Sequence, residues 1–132
     1  MDFSKLAVWV VEDDLQSWAI VSRLLEAVGV TDFTVTVKAE TVMDAMAKGI
    51  HIDLLLIDVH IKSTSGYDLL TEIKHNPYYQ QTKGIMISAS TGALGIRQAQ
   101  AAKADGFISK PLTVDKLRRA FSHILAGESF WE

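Results

Sequence analysis

Leu54-Leu55-Leu56-Ile57-Asp58 decides the fold. Four aliphatic residues in a row suit a strand covered on both faces, because a half-exposed strand alternates apolar with polar residues. The run stops on an acid, and three other strand-like runs stop on polar anchors. Residues 6–11 lead into Glu12-Asp13, Ile85-Met86-Ile87 into Ser88, and Phe107-Ile108-Ser109 into Lys110. An open parallel sheet collects the C-terminal ends of its strands along one edge. Three carboxylates, a hydroxyl and an ammonium, far apart in the chain, would meet there. Such a set suits a divalent cation and a phosphoryl group.

Outward from this run, short apolar stretches alternate five times with amphipathic ones, the pattern of βαβ units around a parallel sheet. Residues 6–11 form the expected first strand. Asp14 is read as the cap of a helix with Ile20, Val21, Leu24, Leu25 and Val28 at helical spacing, ended by Gly29. Phe33, Val35 and Val37 alternate with threonines, as in a half-buried strand, and Val42, Ala45 and Met46 mark a short helix closed by Gly49. Beyond Asp58, a loop ends at Gly66. Leu69, Leu70 and Ile73 then mark a helix stopped by Asn76-Pro77. Residues 85–87 give a fourth strand, residues 94–104 a weaker helix, and Phe107-Ile108 a fifth strand. A last helix carries Leu117, Ala120, Phe121, Ile124 and Leu125 and ends at Gly127. The reading is one α/β domain over residues 1–127 with a tail at 128–132. In that tail, Phe130-Trp131 either folds back, makes a contact, or marks a chain cut from something longer; the first two are preferred.

Composition narrows the function. The chain has 132 residues, 48 % of them apolar, and no cysteine, which excludes a disulfide framework and thiolate metal sites. Net charge is −3, from 13 basic and 16 acidic residues, with no lysine/arginine block. Lys116 with Arg118-Arg119 reads as a solvated helix face, so nucleic-acid binding is poorly supported. The longest apolar stretch falls far short of the about 20 residues of a membrane helix. Met1-Asp2-Phe3-Ser4-Lys5 lacks the basic start and apolar core of a signal peptide. The expected setting is cytoplasmic and free of membrane.

Glu12, Asp13 and Asp58 at adjacent strand ends would raise one another's pKa unless a cation intervened. Oxygen-only ligands favour Mg²⁺. A carboxylate held there can act as a nucleophile and form an aspartyl phosphate, for which Asp58 is the candidate. Lys110 supplies an ammonium for the charge on the phosphoryl oxygens in flight.

These residues, in this order, resemble the receiver domains of two-component response regulators. Val10-Val11-Glu12-Asp13-Asp14 is similar to the family's acidic pair after its first strand, and Leu55-Leu56-Ile57-Asp58 to its phosphoacceptor strand. Gly66, Ser88-Ala89 and the stretch Ala104-Asp105-Gly106-Phe107-Ile108-Ser109-Lys110-Pro111 resemble its conserved glycine, its Thr/Ser-Ala switch pair and its closing motif. The resemblance covers nearly the whole chain. It implies a flavodoxin-like, doubly wound, five-stranded parallel sheet of order 2-1-3-4-5 with helices on both faces, and a site in the crevice between strands one and three. It implies phosphorylation of Asp58 by a sensor histidine kinase or histidine phosphotransfer protein. Mg²⁺ would be held by Asp13, Asp58 and the backbone carbonyl of His60, with Glu12 directly or through water. Lys110 would pair with the phosphoryl oxygens, and Ser88 and Phe107 would form the switch. The face of helix four, strand five and helix five would dock a downstream protein or form a homodimer. The chain would be a signalling phosphoacceptor catalysing only its own phosphorylation and dephosphorylation, and no enzyme otherwise.

Three positions depart from the family pattern or vary within it. Lys62 stands where the family usually has proline. His60 and Ser90 occupy the positions that tune acyl-phosphate lifetime, although His60 also reads simply as an exposed loop side chain. Three other readings stand beside this one. A receiver fragment of a larger, for example DNA-binding, regulator would have the same sequence. An aspartate-nucleophile phosphohydrolase would need an acid at position 60, where His60 stands. A flavin or nucleotide binder would need a phosphate-cradling loop after the first strand, where Glu12-Asp13-Asp14 would repel phosphate without a cation.

Overall fold

The computed structural model describes residues 2–61, 64–89 and 93–132. Lys62 and Ser90, both given roles above, lie outside them. In chain order the elements are β1 (Ala7–Val11), α1 (Leu15–Val28), β2 (Asp32–Thr36), α2 (Ala39–Ala47), β3 (Leu54–Asp58) and α3 (Gly66–His75). A 3-10 turn at Pro77–Tyr79 leads to β4 (Lys83–Ser88), α4 (Ala93–Ala101), β5 (Gly106–Ser109), α5 (Val114–Leu125) and β6 (Phe130–Trp131). All neighbouring strands run parallel, in the order β2-β1-β3-β4-β5-β6. The expected flavodoxin-like α/β architecture is present. The expected strand count is corrected from five to six, because Phe130 and Trp131 pair with Gly106 and Phe107 and add an edge strand.

Strand side chains alternate between two cores. Val8, Val10, Leu54, Leu56, Ile85, Ile87 and Ile108 pack against α1 and α5 through Val21, Leu25, Leu117 and Phe121. Val11, Leu55, Ile57, Met86 and Phe107 face α2, α3 and α4. β3 is buried at every position, as its unbroken aliphatic run requires. The helices stop where local chemistry stops them. Asp14 caps α1, its carboxylate accepting from the Gln16 N–H at 3.1 Å and from the Ser17 hydroxyl at 3.1 Å. Gly29 closes α1 at φ 100, a left-handed conformation that glycine adopts without a Cβ clash. α4 ends at Ala101, short of the expected 104, because Lys103 turns the chain at φ 64.

The N-terminal end of the sheet is stitched by side chains. Asp53 precedes β3 and its carboxylate accepts from the Ala7 N–H at 2.8 Å. Asp105, preceding β5, accepts from the Gly84 N–H at 2.9 Å and pairs with Lys74 at 2.8 Å. The Thr82 hydroxyl donates to the Ile52 carbonyl at 2.8 Å. Among the described residues, no helix is long and apolar enough to cross a membrane.

Candidate functional site

Where β1 and β3 end side by side, Val11 stands in register with Ile57, and the following residues are Glu12 and Asp58. Sheet order reverses between these strands, since β2 lies outside β1 while β4 continues beyond β3. Both carboxylates are buried, Glu12 at 8 % and Asp58 at 6 % exposure. Lys110 reaches them from the end of β5. Its Nζ lies 2.5 Å from Asp58 Oδ2 and 3.5 Å from Glu12 Oε2. The turn after β3 closes back on the same carboxylate, the His60 N–H donating to Asp58 Oδ1 at 2.8 Å. Asp58 therefore has an ammonium on one oxygen and an amide on the other.

Gly66 lets the chain approach this tightly. A Cβ there would sit 2.4 Å from the Asp58 carbonyl oxygen and 2.9 Å from Ile57 Cγ2, so only glycine starts α3 against the end of β3. Ser88, buried at 2 %, ends β4 beside Asp58, and its carbonyl accepts the Lys110 N–H at 2.8 Å. That bond fixes the base of the lysine next to Ser88 at the end of β4. Phe107 lies fully buried one turn of pleat away, in the core shared by α3 and α4.

Electrostatics separate the two carboxylates. Burial pushes Glu12 up, and hydrogen bonding to Asp58 pushes it further, to about 7 from the ordinary 4.5, against the opposing Asp14 N–H and Lys110. Burial would also raise Asp58. Hydrogen bonds from Glu12, Lys110 and the His60 N–H outweigh it and hold the Asp58 carboxyl below the ordinary range. Burial lowers Lys110, but Asp58 and Glu12 more than compensate, so it stays cationic. The result is an ionised Asp58 beside a Glu12 that holds its proton well above the ordinary carboxylate range.

The structure thus joins Glu12, Asp58 and Lys110 directly and puts Ser88 at the same edge. Asp13 follows Glu12 at the strand end and is half-buried, while the His60 side chain is exposed. Among the described residues, no three His, Cys, Asp or Glu side chains are gathered closely enough to hold a metal ion already. Lys110 stands between Asp58 and Glu12. The donor set nonetheless fits a hard cation: its side-chain donors are all carboxylate oxygens, and the buried Glu12 and Asp58 share a single ammonium.

Sequence reasoning did not find the cleft beside the site. A cavity of about 420 Å³ opens between α1 and residues 110–112, lined by Val10, Ile20, Val21, Ile87 and Leu112 with Lys110 at its edge. Ile20, counted in the sequence with the apolar positions of α1, is instead exposed and lines this cleft. Trp18, early in α1, donates its indole N–H to the Glu12 carbonyl at 2.7 Å.

Residues 8–122 match the response regulator receiver domain family. PilG of Pseudomonas aeruginosa is 26 % identical over 114 residues, 85 % of this chain and 82 % of PilG. The Fimbriae Z protein of Salmonella typhimurium is 31 % identical over 80 residues, 61 % of this chain but 37 % of that protein. In fold, a CheY-like receiver domain protein from Methanospirillum hungatei superposes with a TM-score of 0.79 at 20 % identity, covering 92 % of this chain and 94 % of that one. With the acid pair, the buried aspartate and its lysine already joined at one sheet edge, the match extends across nearly every element, and this chain belongs to the response regulator receiver domains of two-component systems.

Proposed function

We propose that this chain takes a phosphoryl group onto Asp58 from a phosphohistidine on a sensor histidine kinase or histidine phosphotransfer protein. The observation that carries the reading is the ionised Asp58 carboxylate, buried yet held by Lys110 and the His60 N–H. An oxygen of Asp58 attacks phosphorus and a P–O bond forms as the P–N bond breaks. The bonding pair leaves on the donor's imidazole nitrogen, which takes up a proton. Lys110 stays close to the charge that develops on the phosphoryl oxygens. Glu12, Asp13, Asp58 and the His60 carbonyl would hold Mg²⁺, which when bound neutralises that same charge. The apolar cleft along α1 supports seating the donor protein next to Asp58.

Phosphorylation then recruits the Ser88 hydroxyl. One charge-assisted hydrogen bond contributes about 1.5–3 kcal/mol, whereas moving a population from 1:99 to 99:1 takes about 5.5 kcal/mol. Lys110 and a bound partner supply the difference, and Phe107 shifts as Ser88 moves. The α4–β5–α5 face carries the signal to a downstream protein or a second copy. In this reading the chain is a cytoplasmic phosphoacceptor that turns over no other substrate. A second reading, a receiver belonging to a longer regulator, is favoured by the 37 % share of the Fimbriae Z protein that aligns; the gene's stop codon decides it.

Acetyl phosphate with Mg²⁺, followed by intact mass, tests the assignment. One phosphate adduct is expected, lost with Asp58→Ala and with chelation of the metal. An adduct that survives Asp58→Ala overturns it.

A further inference from the structure

The edge of the sheet beyond β5 holds a short segment of this chain in the manner of a bound peptide. Its main chain is taken up by β5: the Phe130 N–H donates to the Asp105 carbonyl at 3.3 Å, and the Glu132 N–H to the Phe107 carbonyl at 3.0 Å. The Ser109 hydroxyl donates to the Glu132 carbonyl at 2.7 Å. The side chains enter separate places. Phe130, only 4 % exposed, drops into the core beside α5. The Arg119 guanidinium lies over its ring at 5.5 Å, and the His123 ring is 5.7 Å away. Gly106 makes the notch, since a Cβ there would come within 2.9 Å of the Phe130 carbonyl oxygen and 3.0 Å of Ile124 Cδ1. Trp131 packs on the opposite sheet face with the cluster that includes Phe107. The Glu132 carboxylate meets Arg119 Nη1 at 2.6 and 2.8 Å.

This is a complete recognition set: a strand edge for the backbone, a pocket for an aromatic ring, and an arginine for an acid two residues later. Strand addition to a sheet edge draws affinity from main-chain bonds and specificity from alternate side-chain pockets. Apart from the buried Phe130 ring, the occupant is lightly secured. Its strand is two residues long, and the Arg119–Glu132 pair is solvent-exposed, a class of ion pair worth about 0–1 kcal/mol. Glu128 and Ser129, which tether it to α5, are both exposed. Opening this edge exposes one buried ring and frees two main-chain bonds while the rest of the sheet stays paired.

We propose that the groove between β5 and α5 is a peptide-binding site, filled in cis by residues 130–132. Its ligand class is an extended segment of a partner protein, parallel to β5, carrying an aromatic residue followed two positions later by an acid. Charge complementarity at Arg119 and the segment already seated there define that class. The groove borders the α4–β5–α5 face given the signalling role above, so the proposal rests on that reading for its partner, while peptide binding itself is read without phosphorylating Asp58. A competing segment must overcome a tethered occupant whose effective concentration is of millimolar order.

The test uses the whole 132-residue chain, ¹⁵N-labelled, and the synthetic peptide Ser-Phe-Trp-Glu copied from residues 129–132. In a chain carrying Phe130→Ala and Glu132→Ala, the peptide is expected to shift the Gly106, Phe107 and Ser109 amides saturably. The unsubstituted chain is expected to need at least about tenfold more peptide, and a peptide with alanine for phenylalanine to shift nothing. Arg119→Glu provides a second route, in which the native peptide fails and one ending in lysine binds. If the double variant does not fold, the Arg119→Glu comparison decides alone. A folded double variant that ignores the peptide, equal midpoints for both chains, or failure of the lysine peptide to bind would each overturn the proposal. So would sedimentation showing that the unsubstituted chain dimerises by exchanging residues 130–132, which would give the groove to a second copy.

Discussion

Glu12 holds the one proton that sets how the metal-free site responds to pH. Its folded pKa of about 7 lies above its ordinary 4.5, so between these values the folded chain binds a proton that the unfolded chain lacks. Metal-free stability from this group is therefore present at low pH and is lost as pH rises through about 7. Asp58 acts in the opposite sense: its contribution is lost only as pH falls through its depressed pKa. In chelator, the urea midpoint is expected to be higher near pH 5.5 than near pH 7.5, and Glu12→Gln is expected to flatten that difference. Mg²⁺ must displace the same proton, so its affinity, read through Trp18 fluorescence, rises with pH across this window. Gly66 and Gly84 form a contrasting pair. Gly66→Ala places a methyl against the Asp58 backbone and is expected to cost about 2 kcal/mol. Gly84→Ala meets only the far end of the Leu70 side chain and is expected to cost less in the same denaturation experiment. Asp58, Glu12 and Lys110 were legible in the sequence because each ends an apolar run. The transfer of the proton to Glu12 was not, since it depends on distances to Lys110 and on burial.

At the scale of the element, uniform aliphatic runs announced β3 and β4, because a doubly covered strand leaves no polar position to confuse the pattern. β6 escaped notice for the opposite reason. Two residues are too few for any periodicity, and what fixes them is remote: Arg119 on α5, Ser109 on β5 and the notch at Gly106. The end of α4 was misplaced because Lys103 takes the left-handed turn that glycine performs after α1. A left-handed conformation costs a residue with a Cβ about 1–2 kcal/mol. Lys103 is exposed, so Lys103→Gly is expected to stabilise the fold by about 1 kcal/mol in thermal unfolding.

Across the whole molecule, the two ends of the sheet are built differently. The C-terminal end brings like charges together around one ammonium, and the N-terminal end ties the half-buried Asp53 and Asp105 to backbone amides and Lys74. Both arrangements rest on loops whose composition gives little sign of them: Asp53 and Asp105 read as ordinary turn residues until the amides of Ala7 and Gly84 are seen against their carboxylates. This asymmetry has a consequence for how the molecule breathes. Amides at the stitched end, including those of Asp53, Lys83 and Gly84, should exchange with deuterium only when the entire domain opens. Those of His60 and Lys110 should exchange through small fluctuations that leave the rest intact. Asp105→Ala removes the acceptor for Gly84 and the counter-charge of Lys74, at a cost of about 2 kcal/mol. Deuterium uptake at Gly84 should then quicken by roughly thirtyfold, while the opposite pole keeps its native rate.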